Sequence, residues 1–73
     1  MVSKIAYDKL LQKLALNIKK YRNKFGWTQE EMTTFGFNYR YYQKLESGRH
    51  SPSLYTLYKL SKVFRIKLIE LLK

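Results

Sequence analysis

The sequence is poor in several residue types, and each shortage excludes a class of structure or chemistry. The 73 residues include no cysteine, which excludes disulfides and thiolate metal sites. The single histidine, His50, is too few for the usual multi-histidine metal site. No nucleophile, base and acid stand together, and no glycine-rich phosphate loop occurs. We therefore predict no metal, no cofactor, no catalytic residues and no enzymatic activity.

Long apolar stretches are also missing. A membrane-spanning helix needs roughly 20 apolar residues, and no run in this chain approaches that length. The opening residues, MVSKIAYDKLL, lack the apolar segment and the cleavage site of a signal peptide. We therefore expect a cytoplasmic protein with no membrane partner.

Acidic residues are scarce relative to basic ones. Lysine and arginine number 15 against 5 aspartates and glutamates, which gives a formal net charge of +10. A bias of this size points to a polyanionic partner. Many small proteins are basic for solubility alone, so a motif has to support this interpretation.

The few glycines and the one proline divide the chain into helical pieces. The breaks fall at Gly26, Gly36, Gly48 and Pro52, because these residue types favour turns and helix ends. Strand-like alternation of useful length is absent, and no linker or repeat occurs. We predict one domain, residues 1–73, of the all-α class with five helices.

Apolar spacing and capping residues place the five helices. The first is predicted over 3–25 and the third over 39–47, with Asn38 as the N-cap of the third. Thr28 and Glu31 form a capping-box pattern at the start of the short second helix. Ser53 is predicted to cap a fourth helix over 54–64, and a fifth spans about 67–72. The positions predicted to face the core are Tyr7, Leu11, Leu14, Ile18, Tyr21 and Phe25 in the first helix and Leu54, Leu57, Leu60 and Phe64 in the fourth.

The second and third helices, residues 28–47, fit a helix-turn-helix. Two short helices joined by a glycine-containing turn are typical of that motif. Its first helix crosses the DNA backbone, and its second lies in the major groove with its N-terminal residues on the base edges. We therefore predict double-stranded DNA as the partner.

The third helix has one apolar and one polar face. Tyr42 and Leu45 are predicted to point inward. Arginine binds guanine through two hydrogen bonds, glutamine binds adenine in the same way, and lysine reaches guanine or a phosphate. Tyr41 fits the edge of the core and a phosphate contact equally well. The predicted base contacts are Tyr39, Arg40, Gln43 and Lys44, and the predicted phosphate contacts on this helix are Tyr41 and Ser47.

The stretches RNKFGWTQEEM and GFNYRYYQKLESGRHSPSLYTLYKL resemble the phage-repressor and Cro type of helix-turn-helix regulator. The shared pattern is R-x-x-x-G-x-T-Q-E, then G, then E-x-G, then P-S-L-x-T-L, and the resemblance covers about residues 14–72. Each part is weak alone, but the order and spacing are specific. Restriction-modification controllers and small prophage regulators are similar. The resemblance implies a compact, lambda-repressor-like domain that acts as a repressor or controller and binds an inverted repeat as a homodimer.

The resemblance also implies roles for residues outside the third helix. Gln29 matches a glutamine that binds a phosphate and braces the recognition helix, and backbone N–H groups at the helix start beside Thr28 attract anions. Arg22 and Glu46 match an internal salt bridge, which we interpret as structural. In the family, the loop after the recognition helix touches the DNA backbone, and Arg49, His50 and Ser51 match that loop. For His50, an exposed loop histidine without a role is an equal alternative.

The chain departs from the family pattern in two places. The segment from Gln29 to Glu46 is one residue shorter than is common, and we place the deletion between Thr33 and Gly36, which predicts a tighter turn. About ten extra residues precede the usual first helix, so residues 1–13 are expected to lengthen that helix.

The sequence leaves the dimer surface and the alternatives to gene regulation open. Not all of the last helix's apolar residues, Leu68, Ile69, Leu71 and Leu72, fit one small core, and Ile69 and Leu72 are candidates for exposure. A second candidate surface is formed by Ile5, Tyr7, Leu10 and Leu11, which could also cap the core. One alternative function is an antitoxin-type module whose main partner is another protein. Another is non-specific binding of DNA or RNA through charge alone.

Overall fold

The computed structural model describes residues 2–73, which form five helical segments. Three are α-helices: α1 (Lys4–Lys24), α2 (Tyr39–Ser47) and α3 (Leu54–Phe64). Two are 3-10 helices, Glu30–Phe35 before α2 and Leu68–Leu71 after α3. The described part of the chain contains no strand. The prediction of an all-α fold is confirmed.

Polar side chains begin the helices where the sequence predicts them. Each α-helix has a cap oxygen that accepts a hydrogen bond at 3.0–3.2 Å from the backbone N–H three residues on, and the caps are Ser3, Asn38 and Ser53. Thr28 and Glu31 form the reciprocal capping box. The Glu31 N–H donates to Thr28 Oγ1 at 3.1 Å, and the Thr28 N–H donates to the Glu31 carboxylate at 2.9 Å. These local bonds satisfy donors that a helix start leaves free.

The second segment, which contains the place where we predict a one-residue deletion, is a 3-10 helix. A 3-10 helix rises about 2.0 Å per residue against about 1.5 Å in an α-helix, so fewer residues span the same length. Gly36 ends the segment at φ +91, a conformation that suits glycine. The flanking Phe37 is buried with its ring centre 5.7 Å from that of Tyr42, and the ring centres of Phe35 and Trp27 lie 4.6 Å apart. The two bulky aromatics therefore fill the space around the short turn.

One apolar core joins all five segments. Its buried members are Leu14, Ile18, Met32, Phe37, Tyr42, Leu45, Leu60, Phe64 and Leu71. Trp27 closes one end of this core, because its ring stacks on Phe25 at 4.5 Å and lies 6.4 Å from Phe64. Burial of this apolar surface is the main source of stability in a chain without disulfides.

Three positions that we predict to face the core are exposed instead. Tyr7 is 41% exposed, Phe25 40% and Leu54 72%. Tyr7 lies on the N-terminal turns of α1, where little of the core remains to cover it. Phe25 follows the last turn of α1 and packs one ring face on Trp27. Leu54 is the first residue of α3. Because successive residues of a helix are about 100° apart around its axis, Leu54 lies beside the buried face of α3 and not on it.

The last segment is only partly buried. Leu71 is fully buried, whereas Ile69 is 52% exposed and Leu72 is half-buried. The Asn17 side chain donates to the Leu71 carbonyl at 2.9 Å and thereby ties this segment to α1. The prediction that its apolar residues cannot all face one core is confirmed.

None of the helices within residues 2–73 combines the length and the apolar character that crossing a membrane requires. In the same described part of the chain, no three or more His, Cys, Asp and Glu side chains are grouped so that they could hold a metal ion.

Candidate nucleic-acid interface

The α2 helix separates a buried face from an exposed polar face. Tyr42 and Leu45 are buried, and Gly48 ends the helix at φ +78. The side chains that lie exposed on the helix are Tyr39, Arg40, Gln43, Lys44 and Ser47. The structure therefore brings the four predicted base-contacting residues onto one accessible surface.

A buried ion pair fixes the C-terminal end of α2. Arg22 Nε donates to Glu46 Oε2 at 2.7 Å, and Arg22 Nη2 donates to Glu46 Oε1 at 3.1 Å. The third guanidinium nitrogen donates to the Trp27 carbonyl at 2.7 Å, and Gln29 Nε2 donates to Glu46 Oε1 at 3.0 Å. Arg22 of α1 and Gln29 before the first 3-10 helix thus converge on one carboxylate of α2, and the Trp27 carbonyl in the loop after α1 binds the same guanidinium. This cluster sets the orientation of α2 relative to the rest of the domain.

The ionised form of Glu46 is favoured despite its burial. Burial by itself raises the pKa of this carboxyl, but the hydrogen bonds from Arg22 and Gln29 outweigh it and hold the pKa below its ordinary value. The hydrogen bond to Glu46 raises the pKa of Arg22, so the guanidinium stays charged. Burial also raises the pKa of the neighbouring Tyr42 hydroxyl, which stays protonated. The cluster is therefore one cation and one anion at neutral pH.

We expect the domain to lose stability in acid because of Glu46. Its folded-state pKa is lowered, so the unfolded chain binds the proton more readily and stability rises with pH through that range. The contribution is complete above the unfolded pKa of about 4.3 and is lost as pH falls through the folded pKa. Urea unfolding at pH 7, 5, 4 and 3 measures it. The Glu46→Gln variant should show a flatter dependence; an equal slope in both proteins would contradict the assignment.

The predicted phosphate contacts near the motif already take part in internal hydrogen bonds. The Thr28 hydroxyl accepts from Glu31, and the Gln29 amide donates to Glu46. The Ser47 hydroxyl donates to the Lys44 carbonyl at 2.6 Å. Each group keeps some hydrogen-bonding capacity, since hydroxyls accept twice and an amide has two N–H groups.

Tyr41 belongs to the structural side of α2. Its hydroxyl lies 3.1 Å from Thr56 Oγ1, and its ring is half-buried against His50 at 5.1 Å. Of the two roles that the sequence leaves open, the structure favours the core edge. We leave Tyr41 out of the proposed phosphate contacts.

The loop after α2 lies at the same end of the domain as the α2 C-terminus. Arg49 is exposed, and its backbone N–H donates to the Ser47 hydroxyl at 3.2 Å. His50 is half-buried against Tyr41, and the Ser51 hydroxyl is hydrogen-bonded to the hydroxyl of Tyr7. The three predicted loop contacts are therefore adjacent to α2, and one of them is joined to α1.

The excess positive charge lies outside the motif. Residues 28–47 contain Arg40 and Lys44 against Glu30, Glu31 and Glu46. Two of these three acids already have partners, because Glu46 pairs with Arg22 and Glu31 caps the first 3-10 helix. The remaining lysines and arginines lie mostly on α1 and after Gly48. The motif itself is therefore not a basic segment.

Comparison with known proteins decides the family. A profile of the helix-turn-helix family matches residues 18–71, which include the first 3-10 helix, the turn and α2. The chain belongs to the helix-turn-helix family.

Curated relatives of this helix-turn-helix protein have the same family name. An uncharacterized HTH-type transcriptional regulator of Sinorhizobium fredii is 38% identical over 56 residues, which cover 75% of this chain and 73% of that protein. An uncharacterized HTH-type transcriptional regulator of Archaeoglobus fulgidus is 38% identical over 55 residues, covering 74% of this chain and 78% of that protein. No solved structure matches the chain.

The sequence patterns do not predict that Lys59 lies beside the helix-turn-helix. The Lys59 ammonium lies 4.6 Å from the centre of the Phe37 ring and 5.8 Å from that of Tyr55. A methyl group added at Gly36 would also lie 3.7 Å from this ammonium. The contact joins α3 to the turn before α2. No local pattern reports the contact with Phe37, since Phe37 lies far from Lys59 in sequence.

Proposed function

We propose that this helix-turn-helix protein is a sequence-specific regulator of transcription, a repressor or controller, that reads double-stranded DNA with the exposed face of α2. One observation carries the proposal. The side chains of Arg40, Gln43 and Lys44 are exposed on one face of α2, and the buried Arg22–Glu46 ion pair holds that helix against the rest of the domain. Base readout needs side chains held in register by a scaffold. A regulator of DNA belongs in the cytoplasm.

Four exposed residues of α2 have side chains that can contact base edges. Arg40 offers two parallel donors to the O6 and N7 atoms of guanine, and Gln43 offers a donor and an acceptor to adenine. Lys44 reaches guanine or a phosphate. Tyr39, which is 42% exposed, provides a ring for a thymine methyl or a hydroxyl for a phosphate.

The flanking residues supply contacts to the backbone. Thr28 and Gln29 precede the first 3-10 helix, and Ser47 ends α2. The loop contributes an exposed guanidinium from Arg49, together with His50 and Ser51. Such contacts set the register of the protein on DNA and carry no sequence information themselves.

We propose that the protein binds an inverted repeat as a homodimer. One α2 helix reads few base pairs, whereas two helices about 34–36 Å apart read one half-site each. The exposed Ile69 and the half-buried Leu72 supply an apolar surface for this contact.

Sedimentation equilibrium tests the dimer. We expect the wild-type chain to form dimers at high micromolar concentration and Ile69→Lys to shift toward monomer, because a buried lysine opposes association. Leu54→Lys is the matched control, since Leu54 is also exposed but lies on α3. A wild-type chain that stays monomeric throughout would contradict the proposal.

Selection of binding sites from a random duplex pool tests the proposed function itself. At near-physiological salt we expect enrichment of one sequence, arranged as an inverted repeat with half-sites about one helical turn apart. Binding without enrichment that fades as salt rises would indicate a charge-driven binder. No duplex binding at all would favour a protein partner, as in an antitoxin-type module.

A further inference from the structure

The first turns of α1 pack beside the loop that follows the recognition helix. The helix-turn-helix match begins at residue 18, so these turns lie outside it. A methyl group added at Gly48 would lie 3.5 Å from the Gln12 Cα, which shows how closely α1 passes the end of α2. Farther toward the N-terminus, the Tyr7 hydroxyl is hydrogen-bonded to Ser51. The N-terminal turns are therefore held against the loop.

Lys4 is on the face of α1 that is turned toward the domain. It precedes the buried Leu11 by seven residues and Tyr7 by three, and both spacings bring helical residues to one side. Lys4 is exposed because it lies beyond the part of α1 that covers the core. Lys9 and Lys13 are also exposed, but at about 100° per residue they lie about 140° and 180° around the helix from Lys4.

The ammonium of Lys4 has no ionic partner within residues 2–73. The salt bridges there are Arg22–Glu46 and Glu70–Lys73. Asp8 is the one acidic residue on the first three turns of α1; it lies four residues after Lys4 on the same side of the helix, is half-buried and forms no salt bridge within residues 2–73. A cation without a partner, beside a loop that contains the exposed Arg49, matches the charge of a phosphate backbone.

We propose that the N-terminal turns of α1 are a second phosphate-binding element, in which Lys4 contacts the backbone of duplex DNA next to the loop over 49–51. This inference rests on the proposed function, because that function brings the loop to the DNA. The Tyr7–Ser51 bond positions the element, and Lys4 supplies the charge. The element lengthens the contact with DNA beyond the matched motif.

The salt dependence of DNA binding tests the element. Each phosphate contact adds about 0.9 to the slope of log K against log salt concentration. We expect Lys4→Gln to reduce the magnitude of that slope by about 0.9 for each bound protomer, hence by about 1.8 for a dimer, and to weaken binding equally on the selected site and on a random-sequence duplex of the same length. Lys13→Gln is the matched control, because it removes the same charge from the opposite side of α1, and its slope should equal that of the wild type. Lys4→Gln should fold normally, since a cation in the first turn of a helix does not stabilise it.

The outcomes separate this inference from the proposed function. An unchanged slope in Lys4→Gln, or an equal drop in Lys13→Gln, would overturn the inference while site preference remains intact. A smaller slope in Lys4→Gln but not in Lys13→Gln supports the inference. This holds even if the wild type binds the selected duplex and the random duplex equally well, because equal binding overturns only the proposed function. A change in oligomeric state with an unchanged slope would assign the surface to a second copy of the chain and overturn the inference. If the wild type binds no duplex, both proposals fail.

Discussion

The Glu46→Ala variant is expected to lose about 3–5 kcal/mol of unfolding free energy, the usual cost of leaving one partner of a buried ion pair alone. The side chains of Arg22 and Glu46 are only 9% and 3% exposed. Removing the carboxylate leaves the guanidinium buried and deprives Gln29 of its acceptor. Urea or thermal unfolding monitored by circular dichroism measures the loss.

Two further variants identify the cause of that loss. Glu70→Ala removes a carboxylate from the exposed pair with Lys73, and exposed pairs contribute about 0–1 kcal/mol. The double variant Arg22→Met with Glu46→Leu replaces the pair by apolar groups, which is often nearly neutral, so it should recover much of the stability. A Glu46→Ala loss no larger than that of Glu70→Ala would show that the pair is not structural.

The Arg40→Ala variant is expected to weaken the binding of each protomer to its half-site by about 1–3 kcal/mol, or roughly 5- to 150-fold. The reason is the loss of two hydrogen bonds to one guanine. Binding to random DNA should fall much less, because only one charge is lost. Fluorescence anisotropy with both duplexes at one salt concentration measures the difference.

Arg49→Ala is the matched control for Arg40. Both arginines are exposed, but Arg49 lies in the loop and is proposed to contact a phosphate. Its replacement should weaken the selected and the random duplex equally. Equal losses on both duplexes for Arg40→Ala as well would count against base reading by α2.

Much of the fold follows from local patterns in the sequence. The bounds of α2 and α3 are the predicted ones, 39–47 and 54–64, because Asn38 and Ser53 are strong caps. Tyr42 and Leu45 are buried as the helical spacing requires. A family pattern places Arg22 opposite Glu46, and the structure shows the contact as a two-point bridge.

Features that depend on distant contacts could not be predicted in this way. The 3-10 geometry of residues 30–35 accompanies the packing of Phe35 and Phe37 against rings elsewhere in the fold, and no local pattern reports those contacts. The hydrogen bond between Tyr7 and Ser51 joins residues that are 44 positions apart, so no periodic pattern in the sequence predicts it. Leu54 fits the three- and four-residue steps of its helix, but as the first residue of α3 it lies beside the buried face and is 72% exposed.

The most direct test of sequence reading by α2 is the ratio of two affinities. The wild-type chain would be titrated at near-physiological salt against its selected duplex and against a duplex of the same length and composition with the half-site bases permuted. We predict a ratio of at least about 1,000, the lower end for specific DNA-binding proteins. A ratio near one, with the same salt slope on both duplexes, would contradict base reading and leave only charge-driven binding.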